Sequence, residues 1–378
     1  MYNFKVISES LVMGTTLTSE TFVRGQKHNI EAPKFKEKSG TTYNNIIESF
    51  KKTIDKECSK ADTIALQLSG GKDSRTLLTI MNDMGIKPVC LTYSYDKTNP
   101  ELAIATKLCK ILNLKSKYIK IKPKMYIDNK SEKEIIRITK GNPNFNTMML
   151  FNGLKDKMDY DVIFNGNLMT EIMDTREHHW YNGNPKVGII KKVMANSIPL
   201  IKDYSNVMCD FRNRLNAMTT NELILMVNWR RILYLNLWKP TLNFVCPILD
   251  SDVLSEVFSL PMRKRINSNL TRTIIRKLNT KLYNIPCARS PLSLKYPLWV
   301  HQGYARIFGR EGGKGFNIAK YIMENMDIMS LLDIDLDILD QNKIKYYINN
   351  NDLLKMRWGT IKRMRNLKVL VDNAENIC

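Results

Sequence analysis

The sequence predicts an α/β protein in which a doubly wound, mainly parallel sheet is followed by a largely helical half. Between residues 61 and 121, short apolar runs of strand length alternate with segments of helical periodicity. This alternation is typical of parallel strands joined by crossover helices. It fades beyond about residue 189, where apolar helical segments take over. A chain of 378 residues is long enough for a large core and for one or two domains.

The spacing of apolar residues predicts the individual elements. Strands are expected over residues 64–68, 86–94, 116–121 and 162–164, and helices over residues 42–60, 100–112 and 221–238. Another helix is expected to begin at the turn after the first strand, with Leu77, Leu78 and Met81 on one face. Residues 1–45 are poorly patterned, and within them residues 4–6 and 11–12 favour short strands.

Composition narrows the class of protein. The hydrophobic fraction of 43% indicates a folded globular chain, and the net charge of +21 favours an anionic partner such as a nucleotide, RNA or an acidic substrate. A general bias towards lysine explains the charge equally well. In the Lys-rich residues 107–140, lysines alternate with apolar residues, which favours a solvated face over an RNA-binding patch.

The cysteines, the lengths of the apolar runs and the first ten residues indicate the cellular compartment to expect. Seven cysteines are scattered without any Cys-x-x-Cys pair, which argues against a disulfide framework or a zinc ribbon and is typical of a reducing cytoplasm. No apolar run approaches the roughly 20 residues of a membrane span, and residues 1–10 lack the pattern of a signal peptide. We therefore expect a cytoplasmic protein that has no membrane partner.

The most informative stretch is the turn between the first strand and the following helix. It consists of Ser69, Gly70, Gly71, Lys72, Asp73 and Ser74. Two glycines let the backbone approach a ligand closely, and the N–H groups and dipole of a helix N-terminus attract anions. Asp73 is a carboxylate at this anion site and therefore calls for a cation. Mg²⁺ fits, since it is commonly shared between a carboxylate and substrate phosphates.

This turn resembles the SGGxDS signature of the PP-loop ATP pyrophosphatases. The resemblance implies a PP-loop/HUP-like fold in which the motif holds the β- and γ-phosphates of ATP as leaving pyrophosphate while the substrate is adenylated. It also implies nucleotide contacts at the ends of the first two strands, for which Leu68, Leu91 and Thr92 are candidates. A plain core position is at least as good an interpretation of Leu91.

A second stretch, residues 160–174, resembles the turn that follows a later strand in asparagine synthetases, Ser-Gly-Glu-Gly-x-Asp-Glu. Gly166 matches the first glycine of that turn and Glu171 the closing glutamate, while Asn165 replaces serine. The resemblance implies that Gly166 contacts the nucleotide and that Glu171 is catalytic. A carboxylate favoured by the helix dipole is an equally good interpretation of Glu171.

The same stretch departs from the family at three positions. Leu168 replaces the second glycine, Asn167 stands where the family carries a catalytic glutamate, and Thr170 stands where it carries an aspartate that helps to hold Mg²⁺. An amide cannot act as a general base, and a hydroxyl is a weaker, neutral metal ligand. Asp73 is therefore expected to hold the metal with less help, so that either the substrate differs from aspartate or the activity is altered.

The residues just after this stretch include two adjacent histidines, His178 and His179. Adjacent helical positions point in different directions, so we expect no shared metal ion. Contact with the substrate by Arg176, His178 or Trp180 is the better expectation.

The helical half carries two weaker motifs. Pro247, Leu249 and Asp250 match the asparagine synthetase segment Pro-Phe-Leu-Asp, although Asp250 also fits as the N-cap of a helix that begins around Val253. Further on, the family has a basic residue before a Pro…Trp pair, which neutralises charge developing on the phosphates. Arg289 and Lys295 are the candidates for this catalytic role, and each is equally well explained as a surface residue.

Together these resemblances favour an asparagine synthetase-like ligase that lacks a glutaminase domain. The implied arrangement is an N-terminal arm or vestigial connector over residues 1–44, a nucleotide-binding part over 45–185 and a helical part over 186–378. The implied partners are a small-molecule or peptide carboxylate and ammonia or an amine, with a separate glutaminase as one possible source of ammonia. A tRNA-modifying PP-loop enzyme and a catalytically altered nucleotide-binding protein remain alternatives.

Overall fold

The computed structural model describes most of the chain. The described residues are 3–13, 30–95, 97, 99–126, 153–155, 159–173, 184–266, 268–288, 290–307, 321, 324–325, 327–334, 336–350, 359–361, 363–365, 367–368 and 371. Within them, no helix combines the length and the apolar character needed to cross a lipid bilayer.

A five-stranded parallel sheet forms the centre of the first half. Its strands are β1 (Ile64–Gln67), β2 (Val89–Ser94), β3 (Ser116–Lys120), β4 (Val162–Phe164) and β5 (Phe244–Val245), in the spatial order β3-β2-β1-β4-β5. The four strands predicted from apolar runs are all present. β5, only two residues long, comes from within the helical half and completes the edge beside β4.

Helices that flank the parallel sheet confirm the predicted α/β architecture. α2 (Tyr43–Cys58), α3 (Lys72–Asp83) and α4 (Pro100–Leu112) lie within a residue or two of the predicted spans. Local signals fix their ends. Thr42 and Asn45 form a capping box at the start of α2, and α4 begins with an Asn99 cap followed by proline and ends at Asn113 in the left-handed conformation.

The short strands predicted near the N-terminus are wrong, because residues 4–13 form a helix, α1 (Phe4–Met13). Tertiary contacts explain its stability. α1 packs on a helix of the second half, and the buried Glu9 carboxylate accepts a bond from Arg214 at 2.5 Å. Arg363 donates to the Leu11 and Val12 carbonyls, which satisfies carbonyl groups at the end of the helix.

The rest of the described chain is mainly helical, as predicted. Its helices are α5 (Met169–Met173), α6 (Pro185–Met194), α7 (Tyr204–Ala217), α8 (Thr220–Val227), α9 (Trp229–Leu242), α10 (Ser251–Ser259), α11 (Met262–Arg265), α12 (Asn269–Leu278), α13 (Thr280–Tyr283), α14 (Leu298–Ile307) and α15 (Gln341–Asn349). A two-stranded hairpin of β6 (Pro286–Cys287) and β7 (Ser290–Ser293) interrupts them. The single helix predicted over 221–238 is divided at Asn228, where α8 ends and α9 begins.

The strand order locates the site. The chain leaves β1 towards β2 and β3 on one side and later returns to β4 and β5 on the other, so the order reverses between β1 and β4. Ligands of open α/β sheets bind beyond the carboxyl ends of the strands at such a reversal. Leu66 of β1 is level with Phe164 of β4, and the two sequence-predicted turns therefore face each other across this crevice.

Candidate functional site

The turn between β1 and α3 is a closed loop held by its own serines. The Ser69 N–H donates to Ser74 Oγ at 3.0 Å, and the Gly71 N–H donates to Ser69 Oγ at 3.2 Å. The two hydroxyl oxygens lie 3.2 Å apart. Gly71 occupies the N-cap position of α3 and makes no side-chain cap bond. No side chain at the N-cap accepts a hydrogen bond from the first N–H groups of α3. An anion bound at this end of the helix could accept bonds from them instead.

Both charged residues of the loop lie at the start of α3. Lys72 Nζ is 3.8 Å from Asp73 Oδ1, and both side chains are partly exposed. Thr170 of α5 is buried and donates its hydroxyl to the same Asp73 oxygen. Thr170 stands where asparagine synthetases carry an aspartate, and here it is a direct hydrogen-bond partner of the candidate metal ligand.

Gly166 packs directly against the N-terminus of α3. A Cβ atom at this position would lie 2.8 Å from Ser74 N and 2.9 Å from the Asp73 carbonyl carbon. Both are backbone atoms, so the clash could not be relieved by turning a side chain. The turn after β4 and the loop after β1 are therefore in contact through their backbones, as the predicted site requires.

The turn after β4 contains a non-glycine residue with a left-handed backbone. Leu168 has φ +69° and is buried, although it carries a branched side chain. This conformation costs a non-glycine residue roughly 1–2 kcal/mol. The burial of the Leu168 side chain offsets this strain.

Two asparagines shape the floor of this turn. Asn165 is 1% exposed and accepts a bond from the Asn167 N–H at 3.2 Å through its Oδ1. Among the described residues, no partner is within reach of Asn165 Nδ2. The Asn167 carbonyl accepts a bond from the Cys246 thiol at 3.0 Å, and burial raises the pKa of that thiol beyond the ordinary range. A buried amide donor and a protonated thiol therefore line this end.

Glu171 is held by an ion pair. Arg231 Nη1 lies 2.6 Å from Glu171 Oε1, and the glutamate side chain is 19% exposed while the arginine side chain is 58% exposed. The pair joins α5 to the start of α9. The candidate catalytic carboxylate, Glu171, therefore lies on α5 directly after Thr170, and the Arg231 guanidinium lies beside it.

The predicted nucleotide contacts at the strand ends are buried and bonded to each other. The Leu68 N–H donates to the Leu91 carbonyl at 2.8 Å, and the Thr92 hydroxyl donates to the Leu68 carbonyl at 2.8 Å. All three side chains are buried. Leu68, Leu91 and Thr92 fix the ends of β1 and β2 beside the loop, and the plain core interpretation considered for Leu91 describes its surroundings.

An unexpected residue, Arg75, joins the loop to the helical half. Its side chain is fully buried, and Nη1 donates to the carbonyls of Leu282 and Ile285 at 3.2 and 2.7 Å. Nη2 donates to Pro286 at 2.7 Å and to Gly70 of the loop at 3.3 Å. The available sequence signal was an arginine that directly follows the motif and precedes the apolar residues Leu77 and Leu78 of α3. Arginine is seldom fully buried unless its donors are bonded.

The segment bonded by Arg75 continues into the hairpin, which packs on Gly70. The Ala288 N–H donates to the Gly70 carbonyl at 3.1 Å. A Cβ atom on Gly70 would lie 2.5 Å from Ala288 Cβ and 3.0 Å from Glu101 Cα. Gly70 is thus wedged between the hairpin and α4, and its lack of a side chain is needed for packing as well as for ligand approach.

The structure describes one of the two candidate basic residues, Lys295. Arg289 is outside the described residues, although its neighbour Ala288 contacts the loop. Lys295 is exposed and follows β7, and its carbonyl accepts a bond from Arg272 at 2.9 Å. Within the described part of the hairpin, Ala288 at the turn contacts Gly70 of the loop. The histidines 178 and 179, with Arg176 and Trp180, also lie outside the described residues.

Asp250 is an N-cap. Its Oδ1 accepts bonds from the Asp252 N–H at 2.9 Å and the Val253 N–H at 3.3 Å, and α10 begins at Ser251. The structural interpretation of this aspartate is confirmed, and the helix begins two residues earlier than predicted.

The residues present fit a nucleotide triphosphate with Mg²⁺. The loop offers close backbone approach, a helix N-terminus and Lys72, and Asn165 offers a buried donor without a partner in the described part of the chain. Asp73 with the Thr170 hydroxyl supplies one carboxylate, which is sufficient when phosphates complete the coordination. No group of three His, Cys, Asp or Glu side chains that could hold a metal ion occurs among the described residues.

A comparison with protein families covers the part of the chain that contains the loop after β1. The sequence model of the family described as "Queuosine biosynthesis protein QueC" matches residues 63–148, which is less than half of the chain. QueC is a member of the PP-loop ATP pyrophosphatase superfamily, and the matched segment contains β1, the loop and α3 to β3. No curated protein matches the chain. The match supports an ATP-using PP-loop protein and does not support the asparagine synthetase-like subfamily in particular.

Proposed function

We propose that this protein is an ATP-dependent amide-forming ligase that adenylates a carboxylate, releases pyrophosphate and then joins the acyl group to ammonia or an amine. The observation that carries the proposal is the backbone contact of Gly166 with Ser74 and Asp73. It brings an asparagine synthetase-like turn onto the PP-loop at the reversal of strand order. The match to an ATP-dependent PP-loop family supports the use of ATP.

In this proposal the chain's residues have separate roles. The loop 69–74 and Lys72 bind the β- and γ-phosphates, and Asp73 binds Mg²⁺, which would neutralise charge on them. A carboxylate oxygen of the substrate attacks the α-phosphorus, and the bond to the bridging oxygen of pyrophosphate breaks. The amine then attacks the acyl carbon, and AMP leaves. Arg289 or Lys295 would stabilise the leaving pyrophosphate, and Glu171 would act on the amine side.

The neutral turn supports a substrate other than aspartate. Asn167 and Thr170 replace two carboxylates of the family pattern, so this end of the crevice carries less negative charge. Thr170 is bonded to Asp73, and Arg231 is bonded to Glu171. Less negative charge here favours a substrate whose acyl part carries no amino group near the reacting carboxylate. The identity of the amine stays open, and a glutaminase partner is one source of ammonia.

A second candidate is a PP-loop enzyme that modifies a nucleoside. Two observations favour it: the matching family is named for queuosine biosynthesis, and the chain carries a net charge of +21. Its substrate would be a tRNA base or a nucleoside precursor, activated at the same loop.

Pyrophosphate release from ATP and Mg²⁺ distinguishes the two candidates. We expect release to depend on a small carboxylate together with ammonia or an amine, and to be abolished in Asp73→Asn without loss of fold. Stimulation by bulk tRNA alone would replace the ligase with the second candidate. Full turnover in Asp73→Asn would contradict both. The variant Asp252→Asn, at an exposed aspartate outside the site, serves as the control.

A further inference from the structure

Arg75 is a buried charge for which the described part of the chain provides no counter-ion. Its guanidinium is 0% exposed, and each hydrogen bond that it makes there is to a backbone carbonyl. No described carboxylate lies within ion-pair distance of it. The Cys287 thiol interacts electrostatically with the guanidinium, but burial raises the pKa of this thiol, so it stays neutral and does not balance the charge. Arg75 Nε has no partner within the described residues.

A buried cation without a counter-ion is costly to hold. Burial lowers the pKa of Arg75, but a guanidinium does not lose its proton in proteins, so the charge remains. Carbonyl oxygens satisfy its N–H groups and offset part of the cost, and they leave the net positive charge in place. The position of this charge matters, because Nη2 is bonded to Gly70 of the phosphate loop.

We propose that Arg75 is a positioning residue of the nucleotide site: a fixed, buried cation that holds residues 282–288 against the loop and increases the loop's affinity for pyrophosphate groups. The inference rests on the proposed function for the assignment of the loop to phosphate. A bound pyrophosphate would supply the negative charge that the described residues do not provide at Arg75. Because the site is partly screened from water, such a charge acts over more than hydrogen-bond distance.

The proposal predicts an asymmetric response to ligands. Replacing Arg75 by methionine removes the charge and keeps much of the volume, and we expect the affinity for Mg²⁺–pyrophosphate and Mg²⁺–ATP to fall about tenfold or more. Adenosine, which has no phosphate, should bind as it does to the wild type. Lysine keeps the charge and loses the two-pronged geometry, so Arg75→Lys should lie between methionine and the wild type.

Arg265 provides a matched control. It is also buried, at 1% exposure, but it donates to Asn221 at 2.9 Å and lies over the Phe258 ring in the helical half. Arg265→Met should lower the free energy of unfolding and leave pyrophosphate affinity unchanged. The comparison therefore distinguishes the general effect of removing a buried arginine, which is on stability, from the specific effect of removing the cation next to the loop, which is on pyrophosphate affinity.

The experiment is calorimetric titration of Mg²⁺–pyrophosphate, Mg²⁺–ATP and adenosine into the wild type, Arg75→Met, Arg75→Lys and Arg265→Met. Selective loss of phosphate-bearing ligands in Arg75→Met supports the proposal. Wild-type affinity for pyrophosphate in that variant, or an equal loss of adenosine, would overturn it. If Arg75→Met does not fold, the pyrophosphate affinities of Arg75→Lys, which keeps the charge, and Arg75→Gln, which removes it, are compared instead. We expect the lysine variant to bind more tightly, and equal affinity in the two would overturn the charge-based role. Absence of pyrophosphate binding in the wild type would instead overturn the proposed function.

Discussion

The Thr170 hydroxyl donates a hydrogen bond to Asp73 Oδ1 across the crevice between β4 and the phosphate loop. The two residues are far apart in sequence, and each comes from one of the two motifs recognised there. The bond orients the carboxylate that is the candidate ligand of Mg²⁺. The neutral Thr170 hydroxyl thus supports the Asp73 carboxylate directly.

Removing this hydroxyl should weaken both the fold and the metal-dependent step. Thr170→Ala loses a buried hydrogen bond to a charged group, so we expect the free energy of unfolding to fall by about 1.5–3 kcal/mol. We also expect ATP binding to need more Mg²⁺, which titration at several Mg²⁺ concentrations measures. Thr170→Ser keeps the donor and should stay near the wild type on both measures. Equal behaviour of the alanine and serine variants would show that the hydrogen bond has no such role.

Gly166 should tolerate no side chain. In Gly166→Ala the new Cβ would meet backbone atoms at 2.8 and 2.9 Å, so the turn or α3 would have to shift. We expect a loss of about 1–3 kcal/mol in the free energy of unfolding and a large loss of ATP affinity, measured by urea unfolding and calorimetry.

Gly303 is the control for that variant. It lies within α14, and apart from the backbone of this helix and its chain neighbours no atom of the described residues is within 4 Å of where its Cβ would be. Gly303→Ala should therefore stabilise the protein by about 0.5–1 kcal/mol. An unchanged ATP affinity in Gly166→Ala would mean that the turn after β4 is not part of the site.

The Glu171–Arg231 pair should contribute little to stability. Because the Arg231 side chain is 58% exposed, water and salt screen the pair, and a double-mutant cycle should give a coupling energy below about 1 kcal/mol. If Glu171 serves catalysis on the amine side as proposed, Glu171→Gln should slow amide formation from the acyl-adenylate about a hundredfold, whereas Arg231→Gln should have a small effect. Equal rates in the two variants would restrict Glu171 to a structural role.

The stability of the sheet should depend on pH through Asp161. Its Oδ2 accepts bonds from the Asp62 N–H at 3.0 Å, the Thr63 N–H at 2.7 Å and the Thr63 hydroxyl at 2.8 Å, which join the starts of β4 and β1. These bonds, led by that of the Thr63 hydroxyl, lower the pKa of Asp161. A lowered folded-state pKa gives stability that is present above the unfolded value of roughly 3.9 and is lost as the pH falls through the folded value.

Urea unfolding of the wild type and Asp161→Asn between about pH 3 and pH 7 tests this dependence. The difference in stability between them should be largest at neutral pH and shrink in acid. The neighbouring exposed Asp159, changed to asparagine, is the control and should show no such difference. A difference that stays constant with pH would exclude the ionised Asp161 as its source.

Much of the first half could be predicted from the sequence because its signals are local. Alternating strand-length runs and helical periodicity gave β1 to β4 and α2 to α4, and the capping residues Thr42 and Asn99 mark helix starts without reference to the rest of the fold. Asp250 was identified as an N-cap for the same reason. The loop after β1 was evident because both glycines and the serines lie within six residues.

The features that the sequence did not predict depend on distant contacts. α1 is short, and its partners Arg214 and Arg363 lie some 200 and 350 residues along the chain. Arg75 bonds to carbonyls 207 to 211 residues away, and backbone carbonyls leave no mark in a sequence. The same reason explains why the pairing of Glu171 with Arg231 was not foreseen. The periodicity of apolar residues shows which face of a helix or strand is buried, but it does not show which distant residues pack against that face.

The carbonyl groups that accept hydrogen bonds from Arg75 also determine the order in which parts of the protein can fold during synthesis. A nascent chain or fragment that ends before residue 282 already contains the five sheet strands and the loop, yet it lacks three of the oxygens that hold the guanidinium. The sheet can therefore form during synthesis before the nucleotide site is finished. Stepwise truncation should show strand formation and ATP binding arising at different chain lengths, with binding gained only once Pro286 is present.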